Sequence, residues 1–434
     1  MDDHDLETAL DALARQGTVL PLRCQARRYA WGGFDFIPAL LGYPNPAREP
    51  FAELWVGAHP VAPSLVAAGA VTVPLDRLLA RAPERLLGPE VSARFGATLP
   101  YLLKVLDVRG MLSIQAHPDQ RQAAEGFRRE NAAGIPIDAA PRNYKDGRHK
   151  PEMVVALTTF WVLYGFKPLG AIAGTLDAVP ELKPLAPDFR ARLESAGADP
   201  VARQRLLRAL YERAMTSPQA EIDRLLAPLV ARLRAPEVRA AHRKDSPDFW
   251  ALRAAEQFAG PEGHIDRGII SIYLLNLVRL APGEGLFVPA GVLHAYLEGT
   301  AMEIMASSDN VLRGGLTPKH VDIAELMSIL AFASTTPEVL GGDRTSTTEI
   351  RYPSPAKEFE LSRLDVAAAR PYRSPAVRGA DALLVLEGGA ELRADAGSLP
   401  LDRGVAVLVP NGRSYEISTG GAATIFRASV PHPL

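Results

Sequence analysis

Residues 282–294 read Pro-Gly-Glu-Gly-Leu-Phe-Val-Pro-Ala-Gly-Val-Leu-His. Leu286–Val288 is a short apolar run, Pro289-Ala-Gly291 is a turn, and a second apolar run leads into His294. The turn re-aims the chain so that His294 projects inward from the start of a strand. Tyr296, two residues on, shares that face.

Upstream, Leu112-Ser-Ile-Gln-Ala-His-Pro-Asp119 puts Gln115 and His117 on one strand face, and Pro118 biases His117 towards an extended backbone. His149-Lys-Pro-Glu152 leads into the longest apolar run, Met153–Phe166, which reads as a buried strand pair. A carboxylate at the mouth of such a strand must be paired, protonated or metal-bound. Gln115, His117, Glu152 and His294 together offer two imidazoles, a carboxylate and an amide oxygen. Zinc accepts such N and O donors, and Mn, Fe or Co could too. The other histidines, including His59, His149, His242, His264 and His320, read as hydrogen-bonded core or surface residues. Downstream, Ala301, Glu303 and Met305 share a strand face, expected to be the one His294 and Tyr296 use. The polar stretch Ser307-Ser-Asp-Asn-Val-Leu-Arg-Gly-Gly315 reads as a loop presenting Arg313.

The rest of the chain frames these segments. From Leu20 to Phe166, short apolar segments cut by Gly and Pro suggest a β sandwich with helical decoration. From Pro168 to Gly260, Asp199-Pro200, Ser217-Pro218 and Ser246-Pro247 each pair a capping residue with Pro at the first helical position. The stripe Ile222, Leu225, Leu226, Leu229, Val230, Leu233 is helical, with a kink expected at Pro228. Leu293–Leu297 and Ala301–Ala306 read as separate strands, and Val321–Ala333 as a helix. The fold class expected is mainly β with an α insertion. Its parts are a discontinuous unit at 1–166 and 261–334, a helical unit at 167–260, and a C-terminal β unit at 335–434. With 48 Lys+Arg against 50 Asp+Glu among 434 residues, no basic excess points to nucleic acid or to a membrane surface. The apolar run is shorter than the ~18 residues a membrane helix needs. The acidic N-terminus does not read as a signal peptide, and a single cysteine, Cys24, precludes an internal disulfide. A cytoplasmic monomer is expected.

The strand, Pro-x-Gly turn and strand opening on His resemble the cupin pattern. More specifically, six co-ordered motifs resemble the type I mannose-6-phosphate isomerase family. They are Tyr29-Ala-Trp-Gly32, Glu53-Leu-Trp-Val-Gly-Ala-His-Pro60, Leu112–Asp119, Asn143-Tyr-Lys-Asp-Gly-Arg-His-Lys-Pro-Glu152, Pro289–Tyr296 and Glu303–Arg313. The likeness covers about residues 20–330. It implies two cupin-like jelly-roll β sandwiches with an inserted helical domain. It also implies a zinc enzyme that interconverts mannose 6-phosphate and fructose 6-phosphate. Position by position, it makes Gln115, His117, Glu152 and His294 the zinc ligands and Arg313 catalytic. It places Lys104, Ser113, Lys150, Tyr296, Glu303 and Lys319 in the pocket, with Ser113, Lys104 and Lys319 on the phosphate. Glu303, Lys150 or a zinc-bound water could move the proton. The C-terminal Pro410-Asn-Gly412 turn echoes the cupin turn without a following His, so no metal is expected there. Two other readings compete: a cupin oxygenase or different sugar isomerase, and a non-catalytic sugar-phosphate-binding module. Loss of Arg313 or Glu303 would have favoured the last, and both are present.

Overall fold

The computed structural model describes residues 3–260, 263–395 and 397–433; the expected junction at residue 261 lies outside the described residues. Thirteen strands concern the site or its support. They are β1 (Leu20–Arg23), β2 (Gln25–Arg27), β3 (Glu53–Val56), β4 (Leu65–Ala68), β5 (Val71–Pro74), β6 (Tyr101–Val108) and β7 (Gln115–Ala116). There follow β8 (Glu152–Ala156), β9 (Phe160–Phe166), β10 (Leu275–Leu280), β11 (Gly285–Val288), β12 (His294–Ala306) and β13 (Leu312–Arg313). The Met153–Phe166 run is thus the expected strand pair, β8 and β9.

A ten-stranded sheet is built around β12. The first half of β12 pairs with β9 and β7, and its second half lies between β6 and β8. Side-chain alternation sorts the residues. On β6, Leu106 and Val108 join Val154 and Ala156 of β8, Val162 and Tyr164 of β9 and Leu286 and Val288 of β11 in an interior cluster. Leu103, Val105, Met153 and Val155, the intervening residues, face a different core. β12 changes parity midway. Its register shifts between Tyr296 and Glu298. Before the bulge the even residues face the interior; after it the odd ones do, including Ala301. The two strands read separately from sequence are one because Gly299, at φ +120°, bends the chain without ending it.

β1, β4 and β5 leave this sheet. They complete a nine-stranded sheet whose other members run from 343 to 429, with Leu20 opposite Leu408. The two sheets share one apolar core, to which Leu54, Leu103, Met302 and Ile304 contribute from one side and Leu361, Leu384, Leu408 and Phe426 from the other. A four-stranded sheet covers the far face of the second, over a core that includes Leu383, Val407 and Ile425. Cys24 lies between β1 and β2 with its sulfur 3.8 Å from Ser64 Oγ, and burial pushes its thiol up to about 12.

Between β9 and β10 the chain is helical. Asp199 caps helix Pro200–Thr216 through Val201 N (2.9 Å), and Ser246 caps Pro247–Gln257 through Asp248 N (3.2 Å). Ser217 does not cap: Pro218 takes that position, and helix Gln219–Arg234 starts one residue later than expected. That helix continues through Pro228. Ile222, Leu226, Leu229, Val230 and Leu233 of its stripe are buried, each contributing ~1.5–3 kcal/mol relative to exposure. Leu225 is only partly buried. The helix expected over 321–333 is confined to Ile323–Ile329, capped by Asp322. No helix among the described residues is long and apolar enough to cross a membrane.

Candidate metal centre and cleft

The interior face of β12 forms the floor of a cleft of about 880 Å³, within the range of small-molecule sites. Cross-strand register assembles the floor. His294 lies opposite Gln115, and Gln115 opposite Arg313, so three strands present them side by side. Glu303 lies between Lys104 of β6 and Val154 of β8. The parity change on β12 is what lets His294 and Tyr296, then Glu303, serve one cleft. All eleven residues singled out in the sequence converge here. Lys104, Ser113, Gln115, Lys150, Glu152, Tyr296, Glu303, Arg313 and Lys319 line the cleft, and His117 and His294 sit buried behind Glu152.

His117, Glu152 and His294 form a compact buried cluster. His117 Nε2 is 3.2 Å from Glu152 Oε1, His294 Nε2 is 3.3 Å from Glu152 Oε2, and the imidazoles are 5.1 Å apart. Each Nδ1 faces a backbone carbonyl, Asn310 O at 2.8 Å and Val292 O at 3.1 Å. A carbonyl only accepts, so both Nδ1 atoms carry hydrogen, and both Nε2 atoms face the carboxylate. Burial, then the charge on Lys150, lowers His117 to about 4, so it is neutral near pH 7. Burial alone would raise Glu152, but the Lys150 ammonium (Nζ to Oε1, 2.7 Å), the largest opposing influence, helps hold the carboxyl well below its ordinary range. Neither Nε2 has a hydrogen-bond partner. Two unpartnered imidazole nitrogens and an ionised carboxylate lie within 4.8 Å of one another. This donor set therefore fits a divalent metal, with Gln115 adjacent across the strands.

The rest of the cleft sorts its charges. Lys104 Nζ is 2.8 Å from Glu303 Oε2 and lies over the Trp55 ring. Burial raises the Glu303 carboxyl above its ordinary value despite Lys104. Tyr296 donates to Glu152 Oε2 (3.2 Å), and burial, then Glu152, holds its phenol protonated well above 10. Arg313 and Lys319 differ from Lys104. Among the described residues their side chains have no hydrogen-bond or ion-pair partner, and burial lowers both, with each other's charge adding to the effect on Lys319. Such uncommitted cations are suited to an anion.

Sequence reading missed several participants. Glu53 lines the cleft, accepting from Trp55 Nε1 at 2.6 Å. His59, read as a hydrogen-bonded core or surface residue, is buried 3.3 Å from Asp309, in keeping with that reading. Arg253, Glu256, Gln257 and Phe258 form part of the wall from the helical segment. Gln257 clamps Met111, accepting from its N (2.9 Å) and donating to its O (2.8 Å). A contact across 146 residues leaves no local sequence signal.

Residues 19–169 match the model of the family described as phosphomannose isomerase type I, catalytic domain. Mannose-6-phosphate isomerase of Salmonella typhimurium is 38% identical over 88% of this chain and 92% of its own. The mouse enzyme of the same name is 32% identical over 94% and 98%. The crystal structure of the Salmonella typhimurium isomerase bound to substrate and zinc superposes with a TM-score of 0.83 at 34% identity, covering 95% of this chain and 99% of the other. A crystal structure of mannose 6-phosphate isomerase bound with zinc and yttrium superposes with a TM-score of 0.82, also at 34% identity and with the same coverage. With likeness of this extent in sequence and in fold, the chain belongs to the type I phosphomannose isomerase family.

Proposed function

We propose that this protein is a zinc-dependent isomerase that interconverts mannose 6-phosphate and fructose 6-phosphate. The observation that carries the reading is the pair of unpartnered Nε2 atoms of His117 and His294 beside an ionised carboxylate, in a cleft where, among the described residues, the side chains of Arg313 and Lys319 have no partner. The relatives' shared name and the structure with bound substrate and zinc support the choice of sugar and metal.

His117, Glu152, His294 and Gln115 would hold the zinc. Bound there, it supplies Lewis-acid stabilisation of the sugar oxygens that gain charge, worth several kcal/mol. The reaction moves one proton from C2 to C1 and another between the attached oxygens, through an enediol. Glu303 is the group proposed to carry the carbon-bound proton. Burial brings its pKa nearer the working pH, and Lys104 keeps its ionised form accessible. Arg313 remains a cation throughout and stabilises and orients the developing oxyanion. Lys319, with Ser113, takes the phosphate and anchors the substrate in the cleft.

The test is to incubate the purified chain with mannose 6-phosphate, with and without prolonged chelation, and to assay fructose 6-phosphate and bound metal. Turnover should be lost on chelation and return with zinc. His294→Ala should lose metal and activity together. Chelation-insensitive turnover, or full activity in metal-free His294→Ala, would refute the assignment.

A further inference from the structure

Lys319 reaches the cleft from a turn that little else holds. Arg313, at the start of that turn, is fixed by β13–β7 pairing, by Gly314 N to Ile114 O (2.7 Å) and by Ile114 N to Gly315 O (3.0 Å). Beyond Gly315 these backbone ties stop. Leu316 has φ +54°, a left-handed conformation that a branched side chain adopts only when its surroundings impose it. What imposes it is Asp266, beyond the last long helix of the insertion. Its Oδ1 accepts from Leu316 N (2.9 Å) and from Gly268 N (2.7 Å), and its Oδ2 accepts from Thr317 N (3.1 Å). Two glycines permit the approach. A Cβ on Gly315 would lie 2.6 Å from Gly268 Cα, and a Cβ on Gly268 would lie 2.7 Å from Leu316 N. The neighbouring Arg267 anchors the segment by donating to the carbonyls of Met215 and Ser217.

We propose that Asp266 is a positioning residue for the phosphate end of the cleft: it fixes the 316–319 turn and thereby sets where the Lys319 ammonium stands. The proposal rests on the reading of Lys319 as a phosphate ligand. It makes the segment that follows the last long helix a participant in substrate binding, acting through backbone amides. Because Arg313 is held separately by β7, disturbing Asp266 displaces Lys319 and leaves the reacting end in place.

Asp266→Asn is nearly isosteric. Its oxygen can still accept from Gly268 and Leu316, while its amide group turns a donor towards Thr317 N–H. In the zinc-loaded full chain, KM for mannose 6-phosphate should rise and the affinity for inorganic phosphate, measured by calorimetry, should fall. Each change is expected on the order of tenfold, with kcat within about threefold of wild type and zinc content unchanged. Asp266→Glu, which keeps both acceptor oxygens, should recover part of the phosphate affinity. Unchanged KM and phosphate affinity in Asp266→Asn would overturn the proposal, as would a fall in kcat accompanied by loss of zinc. A wild-type chain that binds phosphate but does not turn over mannose 6-phosphate would refute the isomerase reading and leave the Asp266 comparison intact.

Discussion

At the scale of single residues, the Lys104–Glu303 pair gives the proposed proton transfer a pH dependence that can be tested. Burial raises Glu303, and Lys104 at 2.8 Å opposes that rise. A carboxylate base works only when ionised, so activity falls as pH drops through the Glu303 pKa. Lys104→Met removes the opposing cation, lets the pKa climb further, and should move the acid limb of kcat/KM to higher pH by on the order of one unit. A pH profile of both proteins checks this, and an unmoved limb would rule out Glu303 as the base. At this scale most of the site was legible. Pro118 extends the chain beside His117, and the Pro289–Gly291 turn aims His294. Gln257 and Asp266 were not legible, because their roles are hydrogen bonds to the backbone of residues distant in sequence.

At the scale of elements, β12 carries the argument. Strict alternation along one unbroken strand would put Glu303 on the face opposite His294 and Tyr296. The bulge between Tyr296 and Glu298 reverses the parity, so the expected shared face is real for a reason the sequence pattern does not contain. Gly299 follows directly, and a Cβ there would lie 2.4 Å from the Thr159 carbonyl oxygen. Gly299→Ala combines that clash with an unfavourable φ and should destabilise the chain by ~1–3 kcal/mol. Denaturant unfolding monitored with and without zinc measures the loss. Stability equal to wild type would mean the bulge tolerates a side chain and does not depend on glycine.

At the scale of the whole molecule, the two large sheets are not separable. Leu20 pairs with Leu408, and Tyr101 Oη donates to the carbonyls of Ala380 and Ala428 at 2.8 and 2.9 Å. His149, beside Lys150, meets Glu358 at 2.8 Å. A chain ending at residue 334 would expose the core that Leu103, Val105 and Ile304 share with Leu361, Leu408 and Phe426. It is expected to aggregate or to unfold without a cooperative transition, as circular dichroism on the purified fragment would show; a soluble, cooperatively folded fragment would contradict this. Sequence patterning marked the C-terminal strands as strands. It had no means of showing that β1, β4 and β5 belong beside them, because hydrogen-bond pairing between strands so distant along the chain leaves no periodic trace.

The proposed metal donors are nitrogen and oxygen, and the one thiol of the chain is tucked against Ser64 and stays protonated, with its pKa pushed up to about 12. Peroxide reacts with thiolates, and this protein presents almost none at any physiological pH. Zinc sites built on cysteine release their ion when their sulfurs oxidise to disulfide. Here that route is closed by composition: the proposed ligands include no sulfur to oxidise, and ion release by disulfide formation is unavailable to the centre.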